Sequence, residues 1–409
     1  MRKGRATTRS AGKNLPAGRH ALGQLGQFYK GGGLSKSDLA ECGIPCLRYA
    51  EIYTMYRDVI HCLRSHVAEE TADGAFPIEH GDVIFAASGE TAEDIGKAVA
   101  YLGKGRAVVG GDTVVLRGHG QDPSYLAHAL NANDAVRQKA RLGKGQSIVH
   151  IHAPDLSKVE VWLAPVTEQR RIAAILRTWD DGIEKVERLI AHRAEQYLGL
   201  RDKLIDWSSH DRTALGAFLR PVSRPVPRPN DPYRALGIRS HGKGTFSRFV
   251  DKPDDVDMDT LYVAKAGDII VNITFAWEGA VALVPPEHDG GLVSHRFPTF
   301  VPDARKANAR YLRHALRMPR FTYLLGVVSP GGAGRNRVLS KRDLLDLEIP
   351  LPSFDNQARI AAILDDAENA IASETGFRDA LIRQKHGLVQ KLLTGEWRVK
   401  VDSKKEVMG

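Results

Sequence analysis

The sequence predicts an α+β protein in which two similar mixed α/β domains are joined by two long helices. The helices pair as an antiparallel coiled coil, and the whole is a tandem repeat with a pseudo-twofold axis. Three observations predict it. The first is a long internal repeat: the stretch from Asp155 to Leu176 is answered by the stretch from Asp343 to Leu364, with Gln169 matching Gln357 and Ile172-Ala-Ala-Ile-Leu176 matching Ile360-Ala-Ala-Ile-Leu364. Upstream, Tyr125-Leu-Ala-His-Ala-Leu130 matches Tyr311-Leu-Arg-His-Ala-Leu316, and Gly81-Asp82 matches Gly267-Asp268. Solenoid repeats have periods of roughly 20–50 residues, so a repeat this long is a duplicated domain together with the helix that follows it. The second observation is a pair of heptad stripes. The third is a set of short apolar runs cut by glycine and proline, the pattern of short strands.

Taken in chain order, residues 1–19 form a basic arm expected to be disordered, and residues 20–166 the first domain. Residues 167–207 are the central helix and 208–353 the second domain. The terminal helix runs over 354–394 and a tail over 395–409. The chain carries a formal charge of +9, but Arg2, Lys3, Arg5, Arg9, Lys13 and Arg19 supply six of those charges with no acid among the first 20 residues. Such an arm either touches phosphate or is a solvated tail. Short strands are expected at Ala107–Val109, Thr113–Leu116, Leu261–Val263, Asp268–Asn272 and Ala280–Val284, and short helices at Tyr125–Asn131 and Tyr311–Leu316. Residues 208–231, with Pro221, Pro225, Pro227 and Pro229, read as a stiff linker.

The central helix starts after Pro165 with Thr167 and Glu168, an acid in its first turn. Its stripe is Ile172, Leu176, Trp179, Ile183, Val186 and Ile190, then Tyr197, Leu200 and Leu204 after a skip over Arg193. Alternating steps of three and four make a coiled-coil seam. Some 38 residues give a rod of roughly 55–60 Å, too long to lie on one small domain, so it needs a partner. The terminal helix offers one through Ile360, Leu364, Ala367, Ile371, Phe377, Leu381, Leu388 and Leu392, interrupted by Glu374, Arg378 and Lys385, with Gly395 as a stop. Arg193 either specifies the pairing register or reaches outward to solvent.

These motifs carry a resemblance. Leu163-x-Pro165-x-x-Glu168-Gln169-x-x-Ile172-Ala173-x-x-Leu176 and Leu351-Pro352-x-x-x-Asn356-Gln357-x-x-Ile360-Ala361-x-x-Leu364, with Gly81-Asp82, Ser88-Gly89 and Gly267-Asp268, resemble the specificity (S) subunits of type I restriction-modification systems. The likeness spans about residues 20 to 398, with Ala164 standing where Pro352 stands in the other copy and Asn356 where the family has Glu. It implies two target-recognition domains, each reading one half of a bipartite site in double-stranded DNA, and paired helices that set the spacing and dock two modification (methyltransferase) subunits. Restriction (helicase-nuclease) subunits join that core. The chain itself is then not an enzyme and binds no cofactor, with S-adenosylmethionine, ATP and Mg2+ expected on the partner subunits.

Side chains that read bases or grip phosphate are expected on loops. Candidates in the first domain are Lys30, Lys36, Ser88, Lys144 and Gln146; in the second, Arg239, His241, Lys243, Arg248, Asn272, Arg296, Arg335, Asn336 and Arg337. Arginine grips guanine bidentately and asparagine adenine, which makes the Arg335-Asn336-Arg337 run after four small residues the most suggestive. Catalytic and metal motifs are missing. Asn230-Asp-Pro-Tyr233 lacks the second proline of an amino-methyltransferase box, and neither Lys104 nor Lys144 sits in a phosphate-binding loop. His61, His66, His150, His152, His241, His288 and His295 form no ligand set, and Cys42, Cys46 and Cys62 are too few for a usual zinc site. No run of about 18 apolar residues suggests a membrane span, and no apolar stretch follows the basic N-terminus, so a cytoplasmic protein is expected. A coiled-coil adaptor joining two protein-binding domains without DNA is the alternative.

Overall fold

The computed structural model describes residues 15–208, 212–329 and 337–400. The chain divides into two compact units, Met1–Val186 with Phe377–Gly409, and Glu187–Gly376. Each unit therefore takes one part of both long helices, Val166–Leu204 and Phe354–Leu392, which are 39 residues each.

In the first unit, a five-stranded sheet has the order Gln27–Lys30, Thr113–Arg117, Val83–Ala86, Ala98–Tyr101, Val59–Ile60. A second five-stranded sheet orders Leu39–Ala40, Ser65–Val67, Ile44–Leu47, Ala107–Val109, Phe76–Ile78. In the second unit, a four-stranded sheet orders Leu219–Val222, Thr299–Pro302, Ile269–Val271, Val281–Leu283. Its first four positions repeat the first unit's larger scheme, with the Gly-Asp strand third in both. A five-stranded sheet completes the unit: Pro225–Pro227, Thr260–Ala264, Gly291–Val293, Tyr233–Ile238, Thr245–Val250.

The repeated residues are the ones that close the scaffold. Gly81 and Gly267 have φ of 94° and 87°, a region that glycine enters without steric cost. The aspartate after each glycine accepts from a backbone N–H three residues upstream: Asp82 from Glu79 at 2.8 Å, Asp268 from Lys265 at 2.9 Å. Each is also clamped by an arginine at 2.6 Å, Asp82 by Arg117 and Asp268 by Arg224. Tyr125 and Tyr311 lie in the helices Pro123–Asn131 and Ala309–Ala315, and their hydroxyls donate to the carbonyls of Trp162 and Pro350 at 2.9 and 2.7 Å. Gln169 and Gln357, both buried, accept from Asp122 N–H and Asn308 N–H and donate to the carbonyls of Ala164 and Pro352. The repeat thus preserves the joint between head and helix.

The proline-rich stretch is not a linker. Arg212–Ala214 pairs with Glu348–Pro350, Leu219–Val222 with Thr299–Pro302, and Pro225–Pro227 with Thr260–Tyr262. Prolines lack an N–H donor and fit a sheet at its edge; both proline strands are edge strands.

The long helices pair antiparallel within each unit. In the first, Ile172 and Leu176 share a core with Leu388, Leu392 and Leu393, and the carboxylate of Glu168 meets Arg398 at 2.7 Å. That core also takes in Tyr125, Leu126 and Leu163 of the head, so the stripe packs on a domain and on the other helix together. In the second unit, Tyr197, Leu200 and Leu204 pack with Ile360, Leu364, Ala367 and Ile371. Among the seam positions, Ile183 is buried, while Trp179, Val186, Ile190, Leu381 and Leu388 are half-buried. Phe377, read as part of the stripe, is 57% exposed. The interruptions are polar couples: Arg193 of the central helix meets Glu374 of the terminal helix at 2.5 Å, and Lys385 meets Asp180 at 2.7 Å. Arg193 therefore pairs across the helices rather than reaching free into solvent. No helix among the described residues is long and apolar enough to cross a membrane.

Candidate nucleic-acid interface

Sheet geometry decides which candidate side chains come together. In the second unit, the strand Ile269–Val271 runs out into Asn272–Phe275 and a tight turn at Ala276–Glu278. Ile273 N–H donates to the carbonyl of Arg296 at 3.1 Å, and Leu339 N–H donates to the carbonyl of Ile273 at 3.0 Å. Three segments bearing Asn272, Arg296 and Arg337 are thereby stitched into one cluster. From the other side, His241 N–H donates to the Glu278 carbonyl at 2.7 Å and Gly242 N–H to that of Gly279 at 3.1 Å. The Ser240 hydroxyl meets the Glu278 carboxylate at 2.6 Å. His241 and Lys243 thus join the same edge, both exposed.

Aromatic rings lie among these cations. The Arg337 guanidinium sits 5.5 Å over Trp277, and Arg320 sits 5.2 Å from the ring of Tyr323 on the helix Pro319–Val327, which packs against the Ala276–Glu278 turn. Phe275 is 42% exposed and Tyr323 60%. Exposed rings beside guanidinium groups suit stacking on bases and contact with phosphate. Phe275, Trp277, Arg320 and Tyr323 escaped the sequence reading, because isolated side chains on a turn and a short helix have no periodicity to mark them. Arg239 and Arg248 belong to the Tyr233–Ile238 and Thr245–Val250 hairpin, whose connecting loop carries His241 and Lys243; Arg239 covers Phe246 at 5.1 Å. Arg335 and Asn336 lie outside the described residues.

The first unit builds the same sheet end with different side chains. Ile151 N–H donates to the carbonyl of Ala87 at 2.9 Å, the repeat equivalent of the bond from Leu339 to Ile273. Lys144 and His150 exchange backbone hydrogen bonds at 2.9 and 2.8 Å, which places the Lys144–Gln146 loop beside Ser88. Lys30 closes its strand at this same end, paired with Val114. Lys36 lies apart on the turn Lys36–Asp38. Ser88 is buried, and its hydroxyl is taken by His150 Nδ1 at 2.8 Å, so it supports the loop from behind. Its carbonyl accepts from the Tyr53 hydroxyl at 3.1 Å; burial, with Asp94 adding, pushes that phenol up to about 12, so it remains a donor. The glycines after Lys30 serve internal packing: a Cβ on Gly31 would lie 2.3 Å from the Gly110 carbonyl oxygen, and one on Gly33 2.3 Å from that of Gly74. Lys144 and Gln146 are exposed, with Lys144 3.6 Å from Asp155.

No family model matches the chain. It is similar to the type I restriction enzyme MjaVIII specificity subunit of Methanocaldococcus jannaschii, 21% identical over 362 residues that span 79% of this chain and 80% of that protein. It is likewise similar to the MjaX specificity subunit of the same organism, 23% identical over 350 residues, 78% of this chain and 79% of that one. Two solved structures share the fold. The S subunit of a type I restriction-modification system from M. genitalium superposes with a TM-score of 0.54 at 16% identity, over 93% of this chain and 96% of that one. A chain from a structure described as the basis of complex assembly and conformational transition of the type I R-M system gives 0.56 at 18% identity, over 94% and 100%.

Proposed function

The chain belongs to the specificity (S) subunits of type I restriction-modification systems, and on that premise we propose how its two units divide the reading of DNA. It is the non-catalytic DNA-binding subunit of such a complex, with two recognition domains and a coiled-coil spacer. Each unit reads one half of a bipartite site with the loops at the outrunning end of its Gly-Asp strand. Asn272, Arg296, Arg337, His241 and Lys243 form the reading edge of the second unit; Lys30, Lys144 and Gln146 form that of the first. The helices hold the gap between half-sites and carry two modification subunits, to which restriction subunits add. S-adenosylmethionine, ATP and Mg2+ belong to those partners.

One observation carries this reading. The same hydrogen bonds rebuild the same sheet end twice, Ile151 to Ala87 and Leu339 to Ile273, while the loops they hold differ in every candidate side chain. A shared frame with divergent edges suits two readers of different half-sites. The test lengthens the spacer. One heptad inserted after Val186 and another after Gly376 extend both helices by roughly 10 Å, the rise of about 3 base pairs. Coexpressed with its modification partner and read out by methylome mapping, the variant is expected to methylate the same half-sites with a gap about 3 base pairs wider. Methylation at the original gap would overturn the spacer reading.

A further inference from the structure

In the first unit, four polar side chains from separate parts of the chain meet where the head rests on both helices. Asp58 comes from the head just before the strand Val59–Ile60, and His128 from the helix Pro123–Asn131. Asp180 comes from the central helix and Lys385 from the terminal helix. Lys385 Nζ lies 3.2 Å from Asp58 and 2.7 Å from Asp180. His128 Nδ1 lies 3.1 Å from Asp58, and its Nε2 lies 3.9 Å from Asp180. Asn131 adds a 2.8 Å bond to Asp58, and Arg57 stands 3.6 Å from Asp180. An imidazole between two carboxylates has the donor types of a divalent-cation site, but here the ammonium of Lys385 fills the place of the cation. Lys385 is 9% exposed, one of the charged side chains that interrupt the apolar stripe of the terminal helix.

The repeat equivalent in the second unit is built differently. His314 meets Asp365 at 2.7 Å, Arg313 meets Asp365 and Glu368 at 2.6 Å each, and Arg317 meets Glu368 at 2.7 Å. There the cations all come from the head and several share the task. In the first unit one side chain of the terminal helix bridges the head and the central helix. Beside it lies a cavity of about 470 Å³, lined by Asp58, Asp180 and Lys385 and by the apolar side chains of Ile183, Ile382 and Val389.

We propose that Lys385 is a positioning residue for DNA reading: by holding Asp58 and Asp180 together, it fixes the angle of the first head on the helices and so keeps the half-site gap to a single length. A turn on the order of ten degrees in a domain this size moves its reading edge by the roughly 3.4 Å rise of one base pair. A loosened joint therefore shows first as tolerance of gaps one base pair too long or short, with the half-sites themselves unchanged. The proposal rests on the helices acting as spacer, which the heptad insertion tests separately.

The experiment compares K385Q, K385E and the charge-swapped D180K/K385E, each coexpressed with the modification partner and mapped across a methylome. Both single variants are expected to raise methylation at sites with gaps altered by one base pair about tenfold, the response to a loss of roughly 1.4 kcal/mol in discrimination. The double variant, which returns a cation between two carboxylates, is expected to restore the single gap. K385Q is nearly isosteric and uncharged, and keeps the test open where K385E fails to accumulate. A single gap at full activity in K385Q overturns the assignment, as does a broadened gap that the swap leaves broad. If the heptad insertion shifts the gap while K385Q leaves it single, the spacer stands and only the role of Lys385 falls.

Discussion

At the scale of single residues, Lys139 stands out by having no counter-charge among the described residues. It lies in the helix Asn133–Leu142, is 1% exposed, and donates to one group, the carbonyl of Gly96 at 2.6 Å. Burial alone pulls its ammonium down to about 7. Between that value and the ordinary lysine range, the unfolded chain holds a proton that the folded chain does not, so stability rises with pH from about 7 to about 10. Methionine fills the same volume without the charge. K139M is expected to stabilise the protein by about 1–3 kcal/mol at pH 7, less than the roughly 1.4 kcal/mol per pKa unit would give, because the Gly96 carbonyl loses its donor. The gain should shrink as the pH approaches 10. Urea unfolding at pH 7 and pH 9 measures both; an equal gain at both values would mean the amine is charged in the fold. The Asp58 carboxyl behaves oppositely. Burial would raise it, but His128, Lys385 and Asn131 together hold it below the usual carboxylate range. Its contribution is present above the unfolded value near 4 and lost as the pH falls below it.

At the scale of elements, the repeated glutamines are the strongest link between sequence and fold. Gln169 and Gln357 are at most 1% exposed, and each satisfies a backbone N–H and a backbone carbonyl at the start of a long helix. Leucine in their place leaves those groups buried without partners, at about 1–3 kcal/mol each. Q169L and Q357L are each expected to cost about 2–4 kcal/mol, and hydrogen exchange should show the loss confined to the unit that carries the change. The long helices, the short helices at Tyr125 and Tyr311, and the Gly-Asp strands were all legible, because periodicity and repetition mark them. The strands at Leu219–Val222 and Pro225–Pro227 were not, because proline ordinarily argues against strand and only their edge position admits it. Of the first unit's second sheet only Ala107–Val109 was legible; the strands around it, as short as Leu39–Ala40, leave no alternation to read. The joint of Asp58, His128, Asp180 and Lys385 gathers four distant positions, and its one sequence signal was that His128 and His314 occupy the same repeat position. Of the proposed reading edge, the sequence offered Asn272, Arg296, Arg337, His241 and Lys243 as candidates but not Arg320 or the rings of Trp277 and Tyr323, nor the burial of Ser88.

At the scale of the whole molecule, duplication gives each unit its own core. Leu22, Phe85, Leu126 and Ile172 anchor one in the first unit; Phe218, Phe300, Phe321 and Leu364 anchor one in the second. Changes with no shared partners act independently, so an altered reading edge in one unit should leave the other's half-site untouched. Arg337 is the place to test this. Its guanidinium is held over Trp277 and its segment is tied to Ile273 through Leu339. If it grips a base edge, R337A removes about 1–3 kcal/mol of discrimination at one position. Methylome mapping should then show one base of one half-site relaxed, with the other half-site and the gap intact. A phosphate contact gives a different signature, weaker modification at all sites and a shallower salt dependence. Relaxation in both half-sites at once would mean that the units do not read separately, and the modular account of this duplicated chain would have to be given up.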